Sequence, residues 1–249
     1  MTLAPDSAPG IYGKLPTNGD FVTRRLPVTF VESWDRWLQE SIANSQDQLG
    51  ERWLDTYLTS PVWRFALSSG IAGQSPWAGL LMPSVDSVGR YFPLTLACPL
   101  PAAVSPLGVL TGAEAWYDTA EALLLTCLEE DLDLAAFDQQ VRELGSPPSA
   151  SPARAPLPGM SGTRRMPLPG DLGGLCHDLL HQTLGELFFA FSLWWSKGSD
   201  VVEPSFLMCQ GLPPSAGFSG MLAGDWDRWG WEQAGASASE NAPSGLRGR

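Results

Sequence analysis

The chain has 249 residues and a formal net charge of −12, from 15 lysines and arginines against 27 aspartates and glutamates. Apolar residues make up 44% of it, enough for a sizeable core, yet no uncharged apolar run reaches the roughly 18 residues that a membrane span requires. The shortage of positive charge argues against nucleic acids and anionic lipid surfaces as partners, and the first ten residues lack the basic start and apolar stretch of an export signal, so a cytoplasmic location without membrane insertion is expected.

In chain order, Met1 to Gly10 reads as a flexible start. Ile11 to Pro16 is a short extended piece, followed by turn chemistry at Thr17-Asn18-Gly19-Asp20. From Phe30 to Leu49, apolar residues recur at three- and four-residue steps (Phe30, Trp34, Trp37, Leu38, Ile42), the stripe of an amphipathic helix. Three strands follow at Val62–Leu67, Trp77–Met82 and Tyr91–Pro99. The short connections between them favour antiparallel neighbours, because a parallel return needs a crossover of about a dozen residues. Glu114–Glu129 and Leu134–Leu144 read as helices in a strongly acidic stretch, with nine carboxylates and a single base, Arg142, between Glu114 and Glu143. That stretch is expected to be a solvated helix face, with a docking surface as the alternative.

More than half of residues 145–170 are Pro, Gly or Ser, and their only charges are Arg154, Arg164 and Arg165. This composition predicts a flexible insert. Beyond it, Leu172–Leu184 reads as a helix, Phe188–Trp195 and Ser205–Leu212 as strands, and Ala216–Leu222 as a short helix. Residues 232–249 read as a disordered tail. The whole predicts one α+β domain over residues 11–231, a mainly antiparallel sheet of about five strands layered with helices.

Candidate functional residues are few. Cys98, Cys127, Cys176 and Cys209 are scattered without metal-ligand spacing, so they are expected in the core. His177 and His181, the two histidines of the chain, lie one turn apart on a predicted helix, but no HExxH glutamate accompanies them. No cofactor is expected: Gly13-Lys14 lacks the glycine spacing and the following Ser or Thr of a phosphate loop. The densest polar segment is the loop Pro83 to Pro93, between two apolar strands, carrying Ser84, Asp86 and Arg90. Asp86 and Arg90 are four apart and suited to pair across the turn. Ser84 would serve as a nucleophile only with a base and an oxyanion hole, and no GxSxG elbow surrounds it. Of the 11 tryptophans, most belong in a core. Trp226 and Trp229, beside the predicted tail, are candidates for partial exposure and partner contact.

Several segments taken together resemble the TagF family, also called ImpM, accessory proteins of bacterial type VI secretion systems. These segments are Gly13-Lys14-Leu15-Pro16 with Gly19-Asp20-Phe21 and Arg24-Arg25-Leu26-Pro27, then Trp34-Asp35-Arg36-Trp37-Leu38-Gln39, Tyr57-Leu58 with Pro61-Val62-Trp63-Arg64-Phe65, Met82-Pro83-Ser84-Val85-Asp86 with Val88-Gly89-Arg90-Tyr91-Phe92-Pro93-Leu94, and, less closely, Trp194-Trp195-Ser196 with Gly211-Leu212-Pro213. The resemblance implies a non-enzymatic, post-translational repressor of secretion. Such a protein binds a cytoplasmic component, such as the forkhead-associated scaffold protein, and blocks assembly of the apparatus. It directs attention to Lys14, Asp20, Arg24, Ser84, Asp86 and Arg90 and supplies no catalytic residue. A hydrolase using Ser84 and a nucleotide-sensing module are the alternatives from other functional classes.

Overall fold

The computed structural model describes residues 8–102, 104–129, 131–149 and 172–232, without the side chains of 172–178 and 181. The predicted N-terminal segment up to residue 7, most of the predicted insert and the tail beyond Glu232 lie outside the described residues. So do the side chains of Cys176, His177 and His181.

The framework is an antiparallel sheet of seven strands in the order β2-β1-β5-β4-β3-β6-β7. Its strands are β1 (Gly10–Gly13), β2 (Val22–Arg24), β3 (Trp63–Leu67), β4 (Trp77–Met82), β5 (Leu94–Pro99), β6 (Phe191–Ser196) and β7 (Ser205–Gln210). The α+β class agrees with the sequence reading, but seven strands replace the five expected. The extended piece at residue 11 joins the sheet, with β1 pairing β2 as a hairpin and β5 on its other side (Ile11 opposite Leu96). A run of three residues is too short to show a period-two pattern, which is why β2 escapes a sequence reading.

Continuous burial of β3, β4 and β5 follows from helices covering both faces of the sheet. On one face Trp63, Phe65, Leu67, Trp77, Leu81 and Trp194 pack with helix α1 (Val28–Leu49), α2 (Trp53–Leu58) and α7 (Phe218–Ala223). On the other, Ile11, Leu80, Met82, Leu94, Leu96 and Cys98 pack with α4 (Glu114–Leu125) and α5 (Leu134–Glu143), while α3 (Pro106–Gly112) and α6 (Leu172–Leu187) cover β6. Helix α1 begins after Pro27, whose fixed φ and missing N–H suit a helix start. It ends where Gly50 takes φ 55° and returns its N–H to the Gln46 carbonyl. The short α2 and α3 have no counterpart in the sequence reading.

The tryptophans justify their burial by finding acceptors. Trp34 Nε1 donates to Thr95 Oγ1 at 2.8 Å, Trp37 to the Pro213 carbonyl at 2.8 Å and Trp63 to the Met221 carbonyl at 3.0 Å. Trp34 also stacks on Trp194, ring centroids 5.9 Å apart, and meets Phe65 at 4.8 Å. Burial pushes the thiol of Cys98 up to about 11 and those of Cys127 and Cys209 to about 12, in keeping with core roles.

Not all of the acidic stretch is a solvated face. Arg64, buried in β3, donates to Asp118 at 2.7 Å and Glu121 at 2.6 Å on α4, and Lys197 reaches Asp118 from the end of β6. Arg25, held at φ 58°, reaches Asp138 on α5, and Asp133 caps α5 through the N–H groups of Ala135 and Ala136. Removing both carboxylates that hold Arg64 (Asp118→Ala with Glu121→Ala) leaves a guanidinium buried without a counter-charge. That is expected to cost about 3–5 kcal/mol in denaturant unfolding. Lys197→Ala, acting at an exposed pair, is expected to cost about 1 kcal/mol or less.

Candidate functional site

Topology brings two loops to one end of the sheet. Because β1 pairs β5 and β5 pairs β4, the segment leaving β1 (residues 14–21) emerges beside the β4–β5 connection (residues 83–93). The approach is close: a Cβ built on Gly13, at φ 139°, would lie 2.1 Å from the Pro93 carbonyl oxygen, so the position accepts only glycine.

The next residue, Lys14, turns its ammonium inward to Asp86 at 2.9 Å, with side-chain exposures of 5% and 0% respectively. Asp86 receives four donors. Oδ1 accepts from the N–H groups of Val88 (3.0 Å) and Arg90 (2.9 Å), and Oδ2 from Lys14 Nζ (2.9 Å) and Arg90 Nε (2.7 Å). Desolvation alone would raise the pKa of this carboxyl. The Arg90 amide, the Lys14 ammonium, the Arg90 guanidinium and the Val88 amide outweigh it and hold the group well below the usual carboxylate range.

Further bonds stitch the two loops together. Ser84 Oγ donates to the Lys14 carbonyl at 2.8 Å, the Ser87 amide to the Asn18 carbonyl at 3.1 Å, and the Arg90 guanidinium to the Gly19 carbonyl. From α2, the Tyr57 hydroxyl both accepts from the Ser84 amide and donates to the Ser84 carbonyl, each at 2.9 Å. Burial raises the pKa of this phenol, so it stays protonated and able to donate. Lys14 Nζ also lies 4.3 Å from the centre of the Phe21 ring, a cation–π contact. That ring packs edge-on against Phe92 and stacks on Tyr12.

Lys14, Ser84, Asp86 and Arg90 therefore form one network. Ser84 is 2% exposed, and its hydroxyl is committed to a main-chain carbonyl. Asp20 sits on the same loop, exposed to solvent, and Arg24 is exposed on the edge strand β2, where it donates to the Thr23 carbonyl. Besides Asp20, the loop pair presents outward Phe21 (46% exposed), Val88 (67%) and the Arg90 side chain (60%). Tyr57, Phe21 and Val88 were not singled out in the sequence reading. The signal available was their place inside the same motif segments.

Trp226 and Trp229 belong elsewhere, in a 3-10 turn after α7. Both are half-buried against the tryptophan-rich core. Trp226 meets Trp63 and Trp231 edge-on, and Arg228 lies 4.7 Å from the Trp229 ring centre. A separate shallow groove of about 720 Å³ runs between α4 and α5, lined chiefly by small and apolar side chains such as Ala115, Ala122, Leu123 and Leu144. Among the described residues, no group of three or more His, Cys, Asp or Glu side chains is arranged to hold a metal ion.

Residues 10–144 match the family model described as the TagF N-terminal domain, type VI secretion system-associated. Among solved structures, the crystal structure of PA0076 from Pseudomonas aeruginosa PAO1 is 41% identical to this chain, with a TM-score of 0.77. The alignment covers 88% of this chain and 95% of that one. No curated protein matches the chain.

The depressed acidity of Asp86 fixes the sign of a pH effect. Its stabilisation is complete above the ordinary carboxylate pKa of about 4 and is lost as pH falls below that value toward the folded-state value. Thermal melts from neutral to strongly acidic pH are expected to show the wild-type chain losing stability below about pH 4, with a shallower acid slope for Asp86→Asn. At neutral pH, Asp86→Ala, which strands Lys14, is expected to lower the melting temperature by on the order of 10 °C.

Proposed function

We propose that this chain, which belongs to the TagF family of type VI secretion-associated proteins, is a non-enzymatic repressor that docks through its stapled loop pair onto a cytoplasmic component of the secretion apparatus and blocks assembly. The forkhead-associated scaffold protein is the component that the family resemblance points to. The observation that carries this reading is how the loop uses its polar groups. Ser84, Asp86 and Lys14 are polar groups of the loop pair that lie close enough together to act jointly. All three are buried and bonded to one another or to the backbone, while an aromatic ring, a branched aliphatic side chain and a guanidinium face outward.

That division suits recognition. A loop already fixed by a saturated carboxylate loses little conformational freedom on binding, which favours affinity without new contacts. An exposed phenylalanine beside an arginine also matches the residue types enriched at protein interfaces. Among the described residues no helix is long and apolar enough to cross a membrane.

The test is a titration of the purified chain with the purified forkhead-associated component. Phe21→Asp and Val88→Asp are each expected to weaken binding at least tenfold, about 1.4 kcal/mol, while leaving the melting temperature within a few degrees of wild type. Unchanged affinity in both variants, or absence of binding by the wild-type chain, would overturn the reading.

A further inference from the structure

The two edges of the sheet are treated differently. At one end β2 is three residues long, carries the exposed Arg24, and is followed at once by Arg25 in a left-handed conformation that turns the chain away. Short length, charge and a sharp bend are the usual devices that keep a strand edge from recruiting another strand. At the other end β7 is twice as long and uncharged, although a left-handed residue, Gly211 at φ 73°, follows it too. Its six residues, Ser-Phe-Leu-Met-Cys-Gln, include no charge, proline or glycine, and among the described residues its only sheet neighbour is β6.

Its outward side chains are apolar. Leu207 and Cys209 point into the tryptophan-rich core, while Phe206 and Met208, on the opposite face, are 53% and 51% exposed. Opposite Met208, Leu193 is buried with Leu107 of α3 and Leu184 of α6. The helical layer that covers β6 therefore stops short of β7.

We infer that β7 is the interface for a second copy of this chain, paired edge to edge and antiparallel about a two-fold axis normal to the sheet. The strip's own two-fold complementarity selects the occupant, and charge selects the direction. The nearest charged residues on the N-terminal side of β7 are Lys197, Asp200 and Glu203, whereas beyond Gln210 the next charge is Asp225. Antiparallel pairing lays the charged end of each strand beside the uncharged end of the other, where parallel pairing would bring like acids together. A net charge of −12 makes two copies repel overall, and an uncharged strip keeps that repulsion low at the seam itself.

The alternation of side chains then limits the register, because directly opposed residues in an antiparallel pair share a face. An axis through Leu207 sets Phe206 of each copy opposite Met208 of the other, closing four half-exposed side chains into one apolar row. An edge contact of this size lies at the small end of stable interfaces, so the dimer is expected to dissociate on dilution.

Light scattering coupled to size exclusion, over a concentration series, tests the inference. The wild-type chain is expected at twice the mass of one chain at high concentration. Phe206→Lys and Met208→Lys are each expected to raise the dissociation constant at least tenfold, with unchanged far-ultraviolet circular dichroism. The combined variant Phe206→Glu with Met208→Lys puts opposite charges at the opposed positions and is expected to recover the dimer. A wild-type chain that stays monomeric throughout, a dimer that both lysine substitutions leave intact, or a combined variant that remains monomeric would each overturn it. None of these outcomes depends on the loop pair or its partner.

Discussion

The contact between Lys14 and Asp86 sits where a loop from the first strand crosses a loop between the fourth and fifth, and most of what the molecule offers at that end follows from it. Two ions withdrawn from water are destabilising by several kcal/mol each unless geometry and further hydrogen bonds compensate. Here the carboxylate has a donor for each of its four acceptor positions, and two of those donors are the backbone amides that define the turn. The turn cannot relax without uncovering a charge. The ion pair is therefore a constraint on shape more than a source of stability, and it turns a polar loop into a rigid support for the groups exposed beside it.

The same economy recurs under the opposite sheet face. Arg64 from the sheet and Arg25 from the bend after β2 reach carboxylates of α4 and α5, so a helical layer rich in negative charge is fastened to the sheet by cations. On the other face the fastening is aromatic. Indole rings fill the space between α1 and the sheet, and nearly every buried ring nitrogen has an oxygen to bond. One sheet thus carries two chemically different layers. The continuous apolar strands reflect the need to satisfy both.

Much of this was legible in the sequence where a single element carries its own signal. The stripe from Phe30 to Leu49 is long enough for its period to show, and the apolar runs of β3, β4 and β6 are bounded by glycine, serine or proline. The i, i+4 relation of Asp86 and Arg90 announced their pairing. What could not be read depends on tertiary register. Lys14 lies far from Asp86 along the chain and meets it only because β1 aligns with β5. Arg64 finds Asp118 and Glu121 only once α4 has docked, so those acids look like a solvated face in one dimension. The helices α2 and α3 have too few turns for a period to register and owe their form to what they pack against.

The pairing of β1 with β5 also constrains the order in which the molecule can assemble. The first strand to be synthesised finds its inner neighbour only after β3 and β4 have been made, and β3 waits still longer for β6. Contacts so distant along the chain carry a loop-closure penalty before they return any stabilisation. The β3–β4–β5 meander is the part that can form from local contacts, and the N-terminal hairpin must be captured onto it afterwards. Gly13, where no side chain fits against Pro93, is the point at which that late arrival is seated.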